Sequence, residues 1–99
     1  MKIAVDVCIG RDGAKLLRYF GHEVIEAEHA ESDRDWFARA ITAGAEYFIS
    51  ADADIEILAY DANVRFFRAK QGVSGLVTAQ RFLSRDKRRE KLDRRTKAD

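Results

Sequence analysis

The chain has 99 residues, 46% of them hydrophobic, so it is long enough for one domain and too apolar for a disordered segment. It has no apolar run of about 18 residues, which argues against a membrane span and leads us to expect no membrane partner. Its single cysteine, Cys8, excludes an internal disulfide and favours the reducing cytoplasm. The formal net charge is +1, which excludes a strongly acidic or basic chain as a whole.

The first third of the chain predicts a strand, a helix and a second strand. The opening segment KIAVDVCI, residues 2–9, is β-branched and apolar apart from Asp6, which predicts a buried strand rather than a signal peptide. Leu16 and Phe20 then lie four residues apart, as expected for the apolar face of a helix. The segment HEVIEAE, residues 22–28, alternates and predicts the second strand.

The clearest helix signal lies in residues 31–48. Ser32 is a good N-cap, with Asp35 three residues later as a capping partner, and Gly44 is expected to end the helix. The buried face of this helix is predicted to consist of Phe37, Ala40 and Ile41, with Trp36 at its flank.

The remaining elements continue the alternation. Residues 45–50, AEYFIS, predict a buried strand, and residues 54–62, DIEILAYDA, a short helix. Residues 64–69, VRFFRA, predict another strand, and residues 71–78, QGVSGLVT, a glycine-containing turn and a short strand. A helix is predicted over residues 79–95.

This order of elements predicts an α/β three-layer sandwich with a mainly parallel central sheet. The chain has no proline, no repeat and no linker-like tract that would mark an internal boundary. We interpret residues 1–85 as the folded domain and residues 86–99 as a basic C-terminal helix or tail.

Four aspartates are predicted to meet at one edge of this sheet. Asp6 lies late in the first strand, and Asp52 and Asp54 follow the third. Ligands of open α/β sheets collect at the carboxyl ends of the strands. The segment AEHAESD is long enough to bring Asp33 to the same edge. Converging carboxylates repel one another, and hard cations such as Mg²⁺ or Mn²⁺ relieve that repulsion.

Each of these aspartates also has a structural explanation to be weighed. Asp33 suits the positive end of a helix dipole, Asp52 is a suitable N-cap, and Asp54 is a common first-turn acid. Asp6 is the hardest to explain in this way, because an unpartnered charge in an apolar strand is costly. We therefore favour a functional role at Asp6.

The pattern of these residues resembles the PIN-domain superfamily. The similarity is carried by SDRDWFARAITAGAEYFISADADIE, by IAVDVC around Asp6, and by GLVTAQRFLSR. The segment RYFGHEVIEA is similar to a compact PIN-like family of candidate toxins. The resemblance covers most of residues 1–85.

The resemblance implies a metal-dependent endoribonuclease with a Mg²⁺ or Mn²⁺ site. The residues it assigns as catalytic metal ligands are Asp6, Asp33, Asp52 and Asp54. The chain departs from the compact family at Cys8, where asparagine is usual, and at Ile55, where phenylalanine is usual. The acid that a further helix supplies in full PIN domains has three candidate substitutes, Glu26, Glu28 and Glu31. A catalytically silent PIN-like binding module and a small phosphoester hydrolase using the same acids are the alternatives.

The basic residues point to polyanionic or acidic partners. Residues 1–60 carry 6 basic and 12 acidic residues, a net charge of −6, whereas residues 61–99 carry 12 and 5, a net charge of +7. Lys and Arg side chains on one helix grip phosphates without reading bases. Solvated surface is the structural alternative. Candidate partners are RNA or another nucleic acid, an antitoxin protein and a second copy of the chain. The candidate nucleic-acid contacts are Arg11, Lys15, Arg85, Arg88 and Arg89.

Overall fold

The computed structural model describes the backbone of residues 1–98 and the side chains of residues 1–86. Four strands alternate with four helices, and a short 3₁₀ helix follows the first strand. The strands are β1 (Lys2–Val5), β2 (Glu23–Glu26), β3 (Tyr47–Ser50) and β4 (Arg65–Arg68). The helices are α1 (Gly10–Tyr19), α2 (Asp33–Thr42), α3 (Ala53–Asp61) and α4 (Gly75–Ala98), and the 3₁₀ helix covers Val7–Ile9.

The strands form one sheet in the order β2-β1-β3-β4, and every pair is parallel. Ala4 lies opposite Ile25 on one side and Phe48 on the other, and Phe48 in turn lies opposite Phe66. Helices cover both faces of the sheet, which confirms the predicted three-layer α/β sandwich. All strands therefore end at one edge of the sheet, which we call the carboxyl edge.

One face of the sheet packs against α1 and α4. Ile3, Val5 and Ile49 point to this side, where Leu17 of α1 and Phe82 of α4 are almost fully buried. Alternate residues of a strand face opposite sides of a sheet, so these odd-numbered positions form one layer of the core.

The opposite face packs against α2 and α3. Ala4 and Phe48 meet Trp36 and Ala40 of α2, and all four side chains are fully buried. The prediction of the buried face of α2 was therefore partly wrong. The observed face is centred on Trp36 instead of lying beside it, and Ile41 is exposed. Trp36 and Ala40 are one helical turn apart, and this pair fills the space beside Phe48.

The ends of α2 agree with the sequence prediction. The hydroxyl of Ser32 accepts a hydrogen bond from the backbone N–H of Asp35 at 3.2 Å, as an N-cap does. Gly44 follows the helix with φ of 87°, a conformation that favours glycine.

Two strand predictions were wrong. The first strand ends at Val5 instead of continuing to residue 9, because the Asp6 carboxylate accepts from the Val7 N–H and starts a 3₁₀ turn. The strand predicted within residues 71–78 is the beginning of α4. The Ser74 hydroxyl accepts from the Val77 N–H there, and Gly75 lies so close to Ile9 that a Cβ would reach the Ile9 carbonyl.

The predicted boundary between residues 85 and 86 falls inside α4, which is one continuous helix from Gly75 to Ala98. Of the residues described, no helix is both long and apolar enough to cross a membrane.

Candidate functional site

The centre of the carboxyl edge lies between the ends of β1 and β3. Asp6 directly follows β1, and its backbone N–H donates to the Ile49 carbonyl at 3.0 Å. Asp52 comes two residues after the end of β3 and is the N-cap of α3. Because β1 and β3 are hydrogen-bonded neighbours, the predicted convergence of these two acids is a consequence of strand order.

A buried hydroxyl connects the two strand ends. Ser50, the last residue of β3, is fully buried and donates to the Asp6 Oδ2 at 2.7 Å. The same hydroxyl oxygen accepts from the backbone N–H of Asp52 at 3.0 Å. The other oxygen of Asp6 accepts from the Val7 N–H at 2.7 Å. The Asp6 carboxylate is thus held at both oxygens, and the residue is only 9% exposed, so this aspartate has a structural role.

Asp52 and Asp54 combine a structural role with a place at the carboxyl edge. The Asp52 Oδ1 accepts from the Asp54 N–H at 2.8 Å, the expected geometry of a helix cap. Asp54 lies in the first turn of α3. The prediction that Asp52 is an N-cap is therefore confirmed. This hydrogen bond uses one of its two carboxylate oxygens.

Asp33 reaches the same place through the loop between β2 and α2. It is the first residue of α2, and the loop before it is tied down by Arg39 from the same helix. The Arg39 guanidinium contacts both oxygens of Glu31 at 2.8 Å and donates to the Glu26 carbonyl at 2.7 Å. Glu31 also accepts from the Glu28 N–H at 3.1 Å. These bonds fix the path of the loop and hence the position of Asp33.

The pKa of Asp33 is sensitive to the other three acids. Its pKa is raised above the ordinary value by partial burial first, and then by the negative charges of Asp6, Asp52 and Asp54. A hydrogen bond with the Asp52 carboxyl contributes in the same direction. A neighbouring like charge disfavours ionisation only at short range. The four predicted acids are therefore neighbours, and we call them the acidic cluster.

The acidic cluster has the donor chemistry of a hard-cation site but not a closed geometry. All its ligand atoms are carboxylate oxygens, which Mg²⁺ and Mn²⁺ prefer. Within the described residues, however, no group of three or more His, Cys, Asp or Glu side chains is arranged to hold a metal ion. Asp6 and Asp52 instead point oxygens at backbone N–H groups. The residues fit a cation by composition and by mutual repulsion, and binding requires their side chains to turn toward one point.

A cavity of about 420 Å³ opens beside Asp6, between the ends of β1 and β2. Arg11 of α1 lines it, together with His29 and Glu26. Arg11 thus lines the same cavity as Asp6. Lys15 is exposed one helical turn further along α1 and does not line this cavity.

The three glutamates considered as a further acid differ in their surroundings. Glu26 lines the cavity with Asp6 and forms an ion pair with Arg18 at 3.1 Å. Glu31 is engaged by Arg39, which lowers its pKa to about 2, and Glu28 is exposed. Of the three, Glu26 is therefore the one that shares a cavity with Asp6.

Arg85, the predicted α4 contact whose side chain the structure describes, lies away from the acids. Arg85 stacks on the Phe67 ring at 5.8 Å and borders a small crevice with Tyr47, the first residue of β3. Asp52 follows the other end of that strand, about 10 Å or more away at 3.3 Å per residue. The side chains of Arg88 and Arg89 lie outside the described residues.

The two departures from the PIN-like pattern have different surroundings. Ile55 is fully buried in the core between α2, α3 and the sheet, so this substitution is a matter of packing. Cys8 lies at the site: burial and the charge of Asp6 raise the pKa of its thiol, which a hydrogen bond with the Ala51 backbone partly offsets.

Two residues that organise the site, Ser50 and Arg39, were missed by the sequence interpretation. Ser50 was included in a buried strand without a role, although a small hydroxyl at the end of an apolar run, two residues before an aspartate, is a usable signal. Arg39 gives no such signal, because its partners lie eight and thirteen residues away, in a loop and at the end of β2.

Comparison of the chain with protein-family models, with curated proteins and with solved structures gives no match. The PIN-like resemblance therefore continues to rest on the quoted motifs alone.

Proposed function

We propose that this protein is a metal-dependent endoribonuclease of PIN-like type, with Mg²⁺ or Mn²⁺ held by Asp6, Asp33, Asp52 and Asp54. The observation that carries the proposal is the position of Asp6 and Asp52 at the ends of the neighbouring strands β1 and β3, where the Ser50 hydroxyl connects them. The raised pKa of Asp33, whose causes include the charges of the other three acids, agrees with it. Four carboxylates so close together are costly unless a cation neutralises them. The resemblance to PIN domains independently assigns the same four positions.

In this proposal, different residues of the chain position the acids and bind the substrate. Ser50 holds the Asp6 carboxylate in place, and the Arg39–Glu31 pair holds the loop that carries Asp33. Arg11 binds a phosphate of the substrate in the cavity next to Asp6. A divalent ion bound by the acids would supply activation of water and stabilisation of the leaving oxygen of a phosphodiester.

The choice of RNA as substrate and of a toxin role rests on the resemblance. The compact PIN-like family consists of candidate toxins, so the proposal extends to one half of a toxin–antitoxin pair. The net charge of +7 on residues 61–99 is consistent with either an RNA strand or an acidic antitoxin as the partner.

The test is cleavage of a labelled single-stranded RNA with EDTA, with Mg²⁺ and with Mn²⁺. We expect cleavage that requires the metal and that falls by about 100-fold or more in Asp6→Asn and in Asp54→Asn, because each removes charge that holds the ion. Asp54→Asn is the gentler change, since the cap uses its backbone N–H rather than its side chain. Asp35→Asn is the matched control, because Asp35 lies in the first turn of α2 but is not among the acids that shift Asp33.

Calorimetric titration with Mn²⁺ separates this proposal from its alternative. Binding near millimolar concentration that is lost in Asp6→Asn supports the metal site. Cleavage that survives in EDTA or in folded Asp6→Asn would contradict the nuclease proposal. RNA binding without either metal binding or cleavage would instead establish the silent binding module.

A further inference from the structure

A second cavity lies on the carboxyl edge, on the other side of the acidic cluster from Arg11. It measures about 260 Å³ and is formed where β4 ends and α4 begins. The residues that line it are Phe67, Arg68, Ala69, Lys70, Thr78 and Arg81. The Ala69 N–H donates to the Ser50 carbonyl at 2.9 Å, so the cavity adjoins the end of β3. We call it the β4 cavity.

The β4 cavity carries uncompensated positive charge. Arg68 is already paired with Glu56 of α3 at 3.1 Å. Lys70 and Arg81 are exposed and form no ion pair with any residue that the structure describes. Within the part of the chain whose side chains are described, no acidic residue lines the cavity. Two free cations around a space large enough for a phosphate group and several waters form a site for an anion.

The neighbouring groups do not supply a different chemistry. The Thr78 hydroxyl donates to the Ser74 carbonyl at 3.0 Å, so its proton is already used. The Phe67 ring is in edge contact with Phe82 and lies under the Arg85 guanidinium. Recognition in the β4 cavity therefore depends on Lys70 and Arg81, which suit phosphate oxygens and read no base.

The position of the β4 cavity relates it to the acidic cluster. Neighbouring strands are about 4.8 Å apart, so the end of β4 is about 5 Å from the end of β3 and about 10 Å from the end of β1. A polyanion approaching four carboxylates is repelled unless cations hold it on both sides. Arg11 lies on the β1 side, and Lys70 with Arg81 lies on the β4 side.

We propose that Lys70 and Arg81 form a phosphate-binding subsite that holds the backbone of a single-stranded RNA as it crosses the acidic cluster. This inference rests on the proposed function for the identity of the ligand. It places the strand across the sheet edge, from the cavity beside Asp6 to the β4 cavity. The subsite strengthens binding to any sequence, because it contacts phosphates alone.

The test is the salt dependence of RNA binding, measured by fluorescence anisotropy of a labelled single-stranded RNA in EDTA so that no cleavage occurs. Each phosphate contact to a single strand contributes about 0.7 to the slope of log K against log salt concentration. We expect Lys70→Gln with Arg81→Gln to make the slope about 1.4 less steep and to weaken binding about 25-fold at 0.1 M salt. The matched control is Lys2→Gln with Arg65→Gln, which removes the same charges at the opposite edge of the sheet.

The outcomes distinguish this subsite from the proposed function. A slope equal to wild type in the folded double variant, with metal-dependent cleavage intact, overturns the subsite alone. RNA binding that depends on these two cations, with no cleavage in Mn²⁺, supports the subsite and contradicts the nuclease. If the double variant does not fold, each single variant is measured, and each is expected to lower the slope by about 0.7.

Discussion

The two edges of the sheet differ in whether their charged side chains are paired with opposite charges. Opposite charges meet where the strands begin, which we call the amino edge. The Lys2 ammonium lies 3.8 Å from Glu23, and the Lys2 backbone N–H donates to Glu46 at 3.1 Å. The Lys2 ammonium also donates to the Ala43 carbonyl at 2.8 Å. These exposed pairs need nothing from outside the chain to balance them.

At the carboxyl edge, like charges are neighbours. The pKa of Asp33 is raised by burial and by the charges of the surrounding aspartates. Basic groups on either side, Arg11 on one and Lys70 with Arg81 on the other, border separate cavities. Opposite charges are therefore neighbours at the edge where the four strands begin, and like charges are neighbours at the edge where they end.

The largest effect is expected from the hydroxyl that holds the carboxyl edge together. Ser50→Ala leaves the Asp6 Oδ2 and the Asp52 N–H without their partner, in a position that is fully buried. An unsatisfied buried group costs about 1–3 kcal/mol, so we expect the free energy of unfolding to fall by about 2 kcal/mol. Urea denaturation measures it.

Ser84→Ala is the control for this change, because Ser84 is exposed on α4 and its loss should stay within about 0.5 kcal/mol. Equal stabilities of the two variants would show that the Ser50 bridge contributes nothing to the carboxyl edge.

The role of Ser50 also shows how far the sequence could predict this molecule. Hydrophobic periodicity and the caps at Ser32 and Asp52 identify all four helices and the parallel sheet, because these signals are local. The observed buried face of α2 and the helical start at Gly75 could not be read in this way. They are decided by packing of Trp36 against Phe48 and of Gly75 against Ile9, which are contacts between distant parts of the chain.

The convergence of Asp6 and Asp52 was predictable from strand order, whereas the residues that position Asp33 were not. Asp6 and Asp52 follow strands, so the rule that parallel strands share a carboxyl edge brings them together. The position of Asp33 depends on a loop whose path is set by Arg39 and Glu31, and no local pattern announces that pair.

A smaller effect is expected from the charge that fixes this loop. The Arg39 contact lowers the pKa of Glu31 from 4.5 to about 2, so Glu31 binds a proton more weakly in the folded chain than in the unfolded one. The stabilisation is therefore complete above pH 4.5 and is lost as the pH falls toward 2. Glu31→Gln should be less stable than wild type at neutral pH, and the difference should disappear in acid.

Thermal unfolding of both proteins across this pH range makes the measurement, with Glu28→Gln as the control from the same loop. Glu28 is exposed and its carboxylate forms no ion pair with the described residues. If the melting temperatures of wild type and Glu31→Gln depend on pH in the same way, the ion pair between Glu31 and Arg39 does not stabilise the loop.

The smallest effect should have the opposite sign and comes from the acidic cluster itself. The pKa of Asp33 is raised, so its ionised form opposes folding at pH values above that pKa and the opposition vanishes below the ordinary value of 3.8. Asp33→Asn removes this repulsion but also removes a first-turn acid that suits the helix dipole. Asp35→Asn removes a first-turn acid from the same helix and corrects for that loss.

At neutral pH without metal, we therefore expect Asp33→Asn to melt above Asp35→Asn, because it removes the repulsion between like charges. Mn²⁺ should reverse the order, because it stabilises only proteins that keep the complete set of ligands. The carboxyl edge differs from the amino edge in this respect: a charge removed from it stabilises the empty protein and destabilises the loaded one. A melting temperature of Asp33→Asn that stays below that of Asp35→Asn without metal would contradict the repulsion on which the proposed site depends.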